Sequence, residues 1–329
     1  MNKQEAKKLE EKILKILNTH LTKNTKLITA VSGGGDSVFL FHMLLKISAK
    51  IIIAHVNHQL RKESANDAKF VQNLSKSHGI KVEILRTDIA KLAQKNKEGV
   101  EETGRKVRYD FFNKMAKKHQ ADLIITAHNA DDNLETRLLN FTRGASLQGL
   151  LGMEIISSHP PKYSPQLFRP LLDIDKKEIL AYLEFKKIPY RNDETNQDRK
   201  YSRNFLRHEI IPKLKKLNPN LIKTSAKNTQ NLREIENFLN EEAEKWLKKN
   251  SKTAKAKTLL NAKTFKKLHT ALQKTIIFAI YKTQIGHTKN LESSHLEDIL
   301  KTLKSPHGNK KKTLNSLTFK IKNNIIEVS

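Results

Sequence analysis

Cysteine is absent from the 329 residues. That excludes a disulfide framework, cysteine-ligated zinc, a cysteine nucleophile and iron–sulfur clusters held by thiolates. Acidic residues are scarce relative to basic ones: 34 Asp and Glu stand against 62 Lys and Arg, a formal net charge of +28. Such an imbalance favours a polyanionic partner, nucleic acid or an anionic membrane, although a general richness in Lys, Asn and Ile accounts for part of it. No apolar stretch approaches the ~20 residues of a membrane-spanning helix. Met1–Lys15 mixes acid and base with no apolar signal core. A soluble, cytoplasmic protein with no membrane partner is expected.

The densest signal is Ser32-Gly33-Gly34-Gly35-Asp36-Ser37, which follows the apolar run Leu27, Ile28, Ala30, Val31 and precedes a helical pattern over Ser37–Leu45. A strand, a tight glycine turn and a helix N-terminus make an anion site, because backbone N–H groups point outward there and the helix dipole favours negative charge. Glycine lets the main chain approach a phosphate closely. Ser32 and Ser37 add hydroxyls, and Asp36 can hold a hydrated Mg²⁺. No Lys follows the glycines, so this is not a Walker A loop, and the G-x-G-x-x-G dinucleotide spacing is missing. Ser-Gly-Gly-x-Asp-Ser resembles the pyrophosphate loop of the ATP pyrophosphatases. An ordinary Gly-rich turn is the alternative.

Strand-like runs at Lys26–Val31, Ile51–Val56, Val82–Leu85 and Leu123–Thr126 alternate with helical patterns at Ser37–Leu45, Ser64–His78 and Arg105–His119. This alternation predicts an α/β fold with a doubly wound parallel sheet. Ligands in such sheets lie at the carboxyl ends of the strands, where Ser32–Ser37, His55–Arg61 and His128–Asp132 all fall. Residues 157–170 carry four prolines and read as a loop, and Asp175–Lys186 reads as a helix. Pro212 and Pro219 mark a boundary, beyond which residues 211–329 hold 25 Lys and Arg against 9 Asp and Glu. The chain is therefore divided into an N-terminal helix (1–24), an α/β catalytic domain (25–212) and a basic, mainly helical domain (213–329). Apolar stripes at Leu232, Ile235, Leu239, Ala243, Trp246 and at Leu272, Ile276, Ile277, Ile280 predict amphipathic helices with Trp246 in the core. Leu317–Val328 alternates around Asn323-Asn324 and reads as a short β-hairpin.

Three further clusters carry chemistry. His55 and His58 lack a third ligand at zinc spacing; Arg61 offers a fork to a phosphate. Arg105 and Arg108 share a helix face and clamp a phosphate or carboxylate, unless they are a solvated basic face. Asp131, Asp132 and Glu135 crowd one turn after His128; such repulsion needs a capping role, Mg²⁺ or an amine. Arg143-Gly144 add another phosphate donor.

In this order, Ser32–Ser37, His55–Arg61, Arg105–Tyr109, Thr126–Thr136, Arg143–Gly144, Gly149–Met153, Arg169–Leu172, Asp193–Asn196 and Tyr201, Arg203, Asn204, Arg207 resemble the tRNA(Ile)-lysidine synthetase family. The resemblance is dense over about residues 25–212 and thin beyond. Thr103-Gly104 depart from the family's small helix formers, and a full second C-terminal domain is not expected. The resemblance implies a two-step reaction with ATP and Mg²⁺, in which the wobble cytidine of the CAU-anticodon isoleucine tRNA is adenylated and L-lysine then displaces AMP. It implies that Ser32, Gly33, Gly34, Gly35, Asp36, Ser37, His55, Arg61, Arg108 and Arg143 bind the nucleotide, with Mg²⁺ on Asp36. Asp36, Arg105, His128, Asp132 and Glu135 then carry the chemistry, Asp132 and Glu135 receive the lysine ammonium, and His128 or a carboxylate takes a proton. Arg203, Asn204 and Arg207 contact the anticodon arm, the basic region grips the tRNA backbone, and the protein forms a homodimer. Another RNA-modifying pyrophosphate-loop enzyme and a non-catalytic RNA-binding protein are the alternatives.

Overall fold

A computed structural model describes residues 1–59, 64–157, 165–191, 202–254, 257–286, 291–305 and 310–329. Two compact units emerge, one of residues 1–136, 153–157 and 165–222, the other of 137–152 and 223–329. The sequence reading places cuts at 24/25 and 212/213 instead.

The first unit is built in the order α1 (Lys3–His20), β1 (Lys26–Ala30), α2 (Gly35–Leu44), β2 (Lys50–Asn57), α3 (Ser64–Ser77), β3 (Lys81–Arg86), α4 (Ile89–Asn96), α5 (Val100–His119), β4 (Leu123–Ile125) and α6 (Ala130–Thr142), whose last turns belong to the second unit. After the short α7 (Leu147–Leu151) of the second unit come β5 (Ile156–Ser157), β6 (Gln166–Phe168), α8 (Lys176–Phe185), α9 (Ser202–Phe205), a π-turn (Leu206–Ile210) and α10 (Ile211–Leu217). The sheet runs β3-β2-β1-β4-β6-β5, parallel except for β5.

Side-chain alternation along β1 sends Leu27 to one face and Ile28 to the other. Leu27, Ile51, Ile53, Ile125 and Phe168 pack with α1, α2 and α8; Ile28, Ala54, Ile124 and Leu167 pack under Tyr109, Phe112, Met115 and Ala116 of α5. Both faces are covered, so the strands read as continuous apolar runs. The chain first extends the sheet from β1 through β2 to β3, then returns to lay β4 on the other side of β1. The β1/β4 gap is therefore the topological switch point, where doubly wound sheets bind ligands. In α1, Asn2 and Glu5 form a capping box, and Ala6, Leu9, Ile13 and Leu17 bury one stripe.

The sequence assigns 157–170 to a loop. Gln166–Phe168 is instead a strand, in register with Leu123–Ile125. Its neighbour β4, not its own proline-rich surroundings, decides its conformation.

In the second unit α11 (Leu221–Asn250) leads to β7 (Ser251–Ala254), β8 (Lys257–Asn261), α12 (Ala262–Lys266), α13 (Thr270–Ile285), α14 (Ser293–Lys304), β9 (Lys311–Leu314), β10 (Leu317–Lys322) and β11 (Ile325–Val328). Lys322 pairs with Ile325 across Asn323-Asn324, whose φ values of 49° and 61° are those of a type I′ hairpin turn. The hairpin is part of a five-stranded antiparallel sheet, β7-β8-β11-β10-β9. Ala243, Phe265, Ile276, Ile277, Ile280, Leu300, Phe319 and Ile326 form this unit's core. Trp246 packs against it, edge-on to Phe265 at 5.9 Å, as its place in the stripe predicts. Ile235 does not follow: it is 53% exposed, because the core contacts of α11 lie farther along, at Ala243–Leu247.

Candidate active site

At the switch point β1 gives way to the Ser32–Ser37 turn. Gly33 has φ +95°, a conformation that side chains rarely adopt. Ser37 closes the turn: its hydroxyl donates to Gly34 O (2.9 Å) and accepts from the amides of Ser32 and Gly33 (both 3.2 Å). Gly34 caps α2 with no side chain, so no side-chain cap covers the amides of the first turn, Gly35, Asp36 and Ser37. Those are the groups that bind anions at a helix N-terminus.

Asp36 sits in that first turn. Its Oδ1 is buried and has no hydrogen-bond partner. Burial raises its pKa, and the nearby Asp132 adds to the rise. Lys176 opposes it with Nζ 3.7 Å from Oδ2, as does a hydrogen bond from Asn129. An orphaned carboxylate oxygen fits the carboxylate share of a Mg²⁺ site, which takes one or two carboxylates plus substrate oxygens, and the uncapped amides beside it fit phosphate oxygens. Among the described residues no three His, Asp or Glu side chains converge as an all-protein metal cage.

The acidic cluster is held by cations that arrive late in the sequence. Asn129 and Asp132 cap α6 reciprocally: Asn129 N–H donates to Asp132 Oδ2 (3.1 Å) and Asp132 N–H to Asn129 Oδ1 (3.0 Å). Glu135 is 1% exposed. Arg203 Nε donates to its Oε2 (2.9 Å), and Arg207 donates through Nε to Oε1 (2.6 Å) and through Nη2 to Oε2 (2.9 Å). The same Nη2 reaches Asp132 Oδ1 at 3.1 Å. Asp131 accepts from Lys215 Nζ (2.8 Å) and from the Lys176 amide (3.0 Å). Partners within the chain bear on two sequence expectations. The carboxylates do not require an outside cation, because Arg203, Arg207 and Lys215 supply it. Arg203 and Arg207 are also engaged on carboxylates rather than offered to an RNA, and both oxygens of Glu135 are taken.

On α5, the exposed Arg105 guanidinium lies 4.9 Å over the Tyr109 ring, and the Tyr109 side chain hydrogen-bonds Arg169. Arg169 is 7% exposed, donates to Glu154 O and Ser157 Oγ, and keeps a buried Nε without partner. Arg108 Nε is likewise buried and unpartnered. Buried guanidinium N–H groups without acceptors invite an anion. His128 Nδ1 meets Thr126 Oγ1 at 2.9 Å, and its pKa is pushed down to about 3 by burial and by Arg169, Arg203 and Arg105, against the pull of Asp132. His128 is therefore neutral at physiological pH. His55 donates from Nδ1 to Val31 O (2.8 Å), which leaves its buried Nε2 a lone-pair acceptor with no partner.

Arg61 lies outside the described residues, as do Asp193–Asn196 and Tyr201. Arg143 belongs to the second unit and is exposed, and Asn204 is half-buried on α9. The Thr103-Gly104 departure is accommodated, since a Cβ at Gly104 would meet His58 at an ordinary 3.7 Å. Sequence reasoning missed Lys176, Lys215 and Asn129. Their signal was positional: Lys176 follows the N-cap Asp175, and Asn129 stands three before Asp132 as a capping pair.

A glycine turn from the first strand, aimed across the switch point at an arginine-bound acidic helix start, defines a nucleotide-binding protein of the PP-loop class. The family model described as PP-loop domain matches residues 5–214. A curated tRNA(Ile)-lysidine synthase of Pseudothermotoga lettingae is 39% identical over 218 residues, 64% of this chain and 47% of that protein. That of Clostridioides difficile is 30% identical over 327 residues, 96% of this chain and 70% of that protein. The chain belongs to the tRNA(Ile)-lysidine synthase family of PP-loop proteins. It spans only about half the length of some curated relatives, 54% in Thermosipho africanus. The U34-tRNA thiolase NcsA from Methanococcus maripaludis, solved with its [4Fe-4S] cluster, superposes with a TM-score of 0.60 at 20% identity over 71% of this chain and 81% of its own, a likeness of fold. Among the described residues, no helix is long and apolar enough to cross a membrane.

Proposed function

We propose that this chain ligates L-lysine to C2 of the wobble cytidine of the CAU-anticodon isoleucine tRNA at the expense of ATP, in the cytoplasm and as a homodimer. The observation that carries the reading is the uncapped, hydroxyl-lined turn with the orphaned Asp36 carboxylate, facing Asp132 and its arginines at one switch point. Family membership supports this choice of substrates.

In the first step the cytidine O2 attacks the α-phosphorus, the bond to the bridging oxygen breaks and pyrophosphate leaves. The amides of Gly35, Asp36 and Ser37 receive its charge, and Lys176 lies close enough to Asp36 to add a cation. Mg²⁺ on Asp36 supplies further charge neutralisation when bound. Arg105, steadied on Tyr109, and Arg108 hold the α-phosphate. In the second step the lysine ammonium gives a proton to a nearby carboxylate or to His128, the neutral amine attacks C2, the C2–O bond breaks, and AMP leaves carrying that oxygen. Asp132, half-buried, receives the ammonium. Glu135 acts through Arg207, which bonds both carboxylates. His128 is too weakly basic in this state to take that proton unaided; phosphate negative charge raises its pKa. The basic 211–329 region holds the RNA backbone.

The thiolase alternative needs sulfur-handling cysteines or a cluster, and this chain has no cysteine. The test is incorporation of radiolabelled lysine into a transcript of this tRNA with ATP and Mg²⁺, omitting each component in turn. ATP-dependent incorporation that vanishes when the wobble cytidine is replaced supports the reading. Bound tRNA without incorporation would point to a different nucleophile or to a binding protein.

A further inference from the structure

In the second unit, Phe141 is 70% exposed, the most exposed aromatic among the described residues. Its surroundings are built. Arg143 and Ala145 amides both return to Asn140 O (3.1 Å each), and the Gly144 amide returns to Phe141 O (3.1 Å). The Asn140 side chain donates to Gly149 O (2.8 Å), and Arg137 Nε donates to Leu150 O (2.8 Å), so the turn that follows the phenylalanine is clamped at both ends. Arg137 is in turn fixed by its bond to Ser225 O at 2.8 Å. Gly144 has φ +69°, and a Cβ there would touch nothing within 4 Å, so the main chain three residues past Phe141 is open to close approach. Arg143 is exposed two residues from the ring.

A single exposed apolar side chain is ordinary. An exposed ring on the last turn of α6, two residues before an exposed arginine in a clamped turn, in a strongly basic part of the chain, is different: it matches the chemistry of unpaired nucleobases, which stack on aromatic faces while arginine takes the adjoining phosphate. The strongly basic surroundings favour a polyanion, and duplex RNA hides its base faces. We propose that Phe141 is a stacking platform for an unpaired base of the tRNA anticodon loop, with Arg143 on the neighbouring phosphate. This rests on the proposed function and adds to it the surface that reads single-stranded RNA.

The experiment measures binding of an anticodon stem-loop RNA of the CAU isoleucine tRNA to the full chain and to its F141A, F141L and F141W variants. F141A and F141L should each bind roughly 5- to 100-fold more weakly, the worth of one stacked base, while F141W retains affinity. RNA addition should quench the new tryptophan emission over the Trp246 background, and a blunt duplex of equal length should not. F141L binding like wild type, or equal quenching by the duplex, overturns the platform. So does a fall in solution mass for F141A, which would make the ring a contact between copies. If wild type binds no stem-loop, the functional reading fails and takes the proposal with it; wild-type binding with a silent F141W overturns the proposal alone.

Discussion

Arg207 grips Glu135 with two parallel hydrogen bonds, Nε to Oε1 at 2.6 Å and Nη2 to Oε2 at 2.9 Å, and shares Nη2 with Asp132. The pair joins the start of α6 to the π-turn, an element often found at functional sites. It converts a repulsive acidic cluster into a fixed frame in which Glu135 is buried while Asp131 and Asp132 stay part-exposed.

Glu135→Ala should therefore damage folding first. It removes the acceptor of three guanidinium hydrogen bonds from Arg203 and Arg207, a loss of about 3–5 kcal/mol for a broken buried pair. Urea unfolding measures this. Asp132→Asn should cost far less stability and act mainly on lysine use, raising its KM. Equal stability losses for the two variants would refute the division of roles.

Asp36→Asn should behave oppositely, with lysine incorporation falling at least ~100-fold, as expected when a charge-stabilising group is lost. Stability should hold or rise. Burial raises the Asp36 pKa in the folded state, so the folded protein binds the proton more tightly than the unfolded chain, and this group's contribution to stability falls as pH rises through that window. The stability difference between D36N and wild type should consequently grow from pH 4 to pH 7 in urea titrations.

Glu10 has the reverse sign. Burial would raise its pKa, but hydrogen bonds from Lys46, Tyr182 (2.6 Å) and Lys186 bring it down to about 2. A lowered carboxyl pKa stabilises above the unfolded value near 4.5 and loses that contribution as pH falls toward 2. Glu10→Gln should cost roughly 1–3 kcal/mol at pH 7 and well under half of that at pH 2.5, read by thermal unfolding at both.

Gly33→Ala should cost about 1–3 kcal/mol, because φ +95° strains any side chain. Gly104→Ala should be tolerated, since its Cβ finds ordinary contacts. A filter-binding assay with ATP on both variants should show nucleotide binding lost only in the first.

Local pattern determined much here. Apolar runs separated by helical periodicity define a doubly wound sheet, the missing cysteines exclude thiol chemistry, and the glycine turn marks the anion site, because each depends on residues adjacent in the chain. The Asn323-Asn324 turn is legible for the same reason: two consecutive left-handed residues suit asparagine. What the sequence could not decide depends on residues far apart. Arg203 and Arg207 read as free cations until folding sets them on Glu135, 68 and 72 residues away. Gln166–Phe168 becomes a strand only because β4 offers an open edge. The low proton affinity of His128 arises from burial among three arginines drawn from separate segments. Charge compensation, strand pairing and desolvation are properties of neighbourhoods, and only the tertiary structure assembles those.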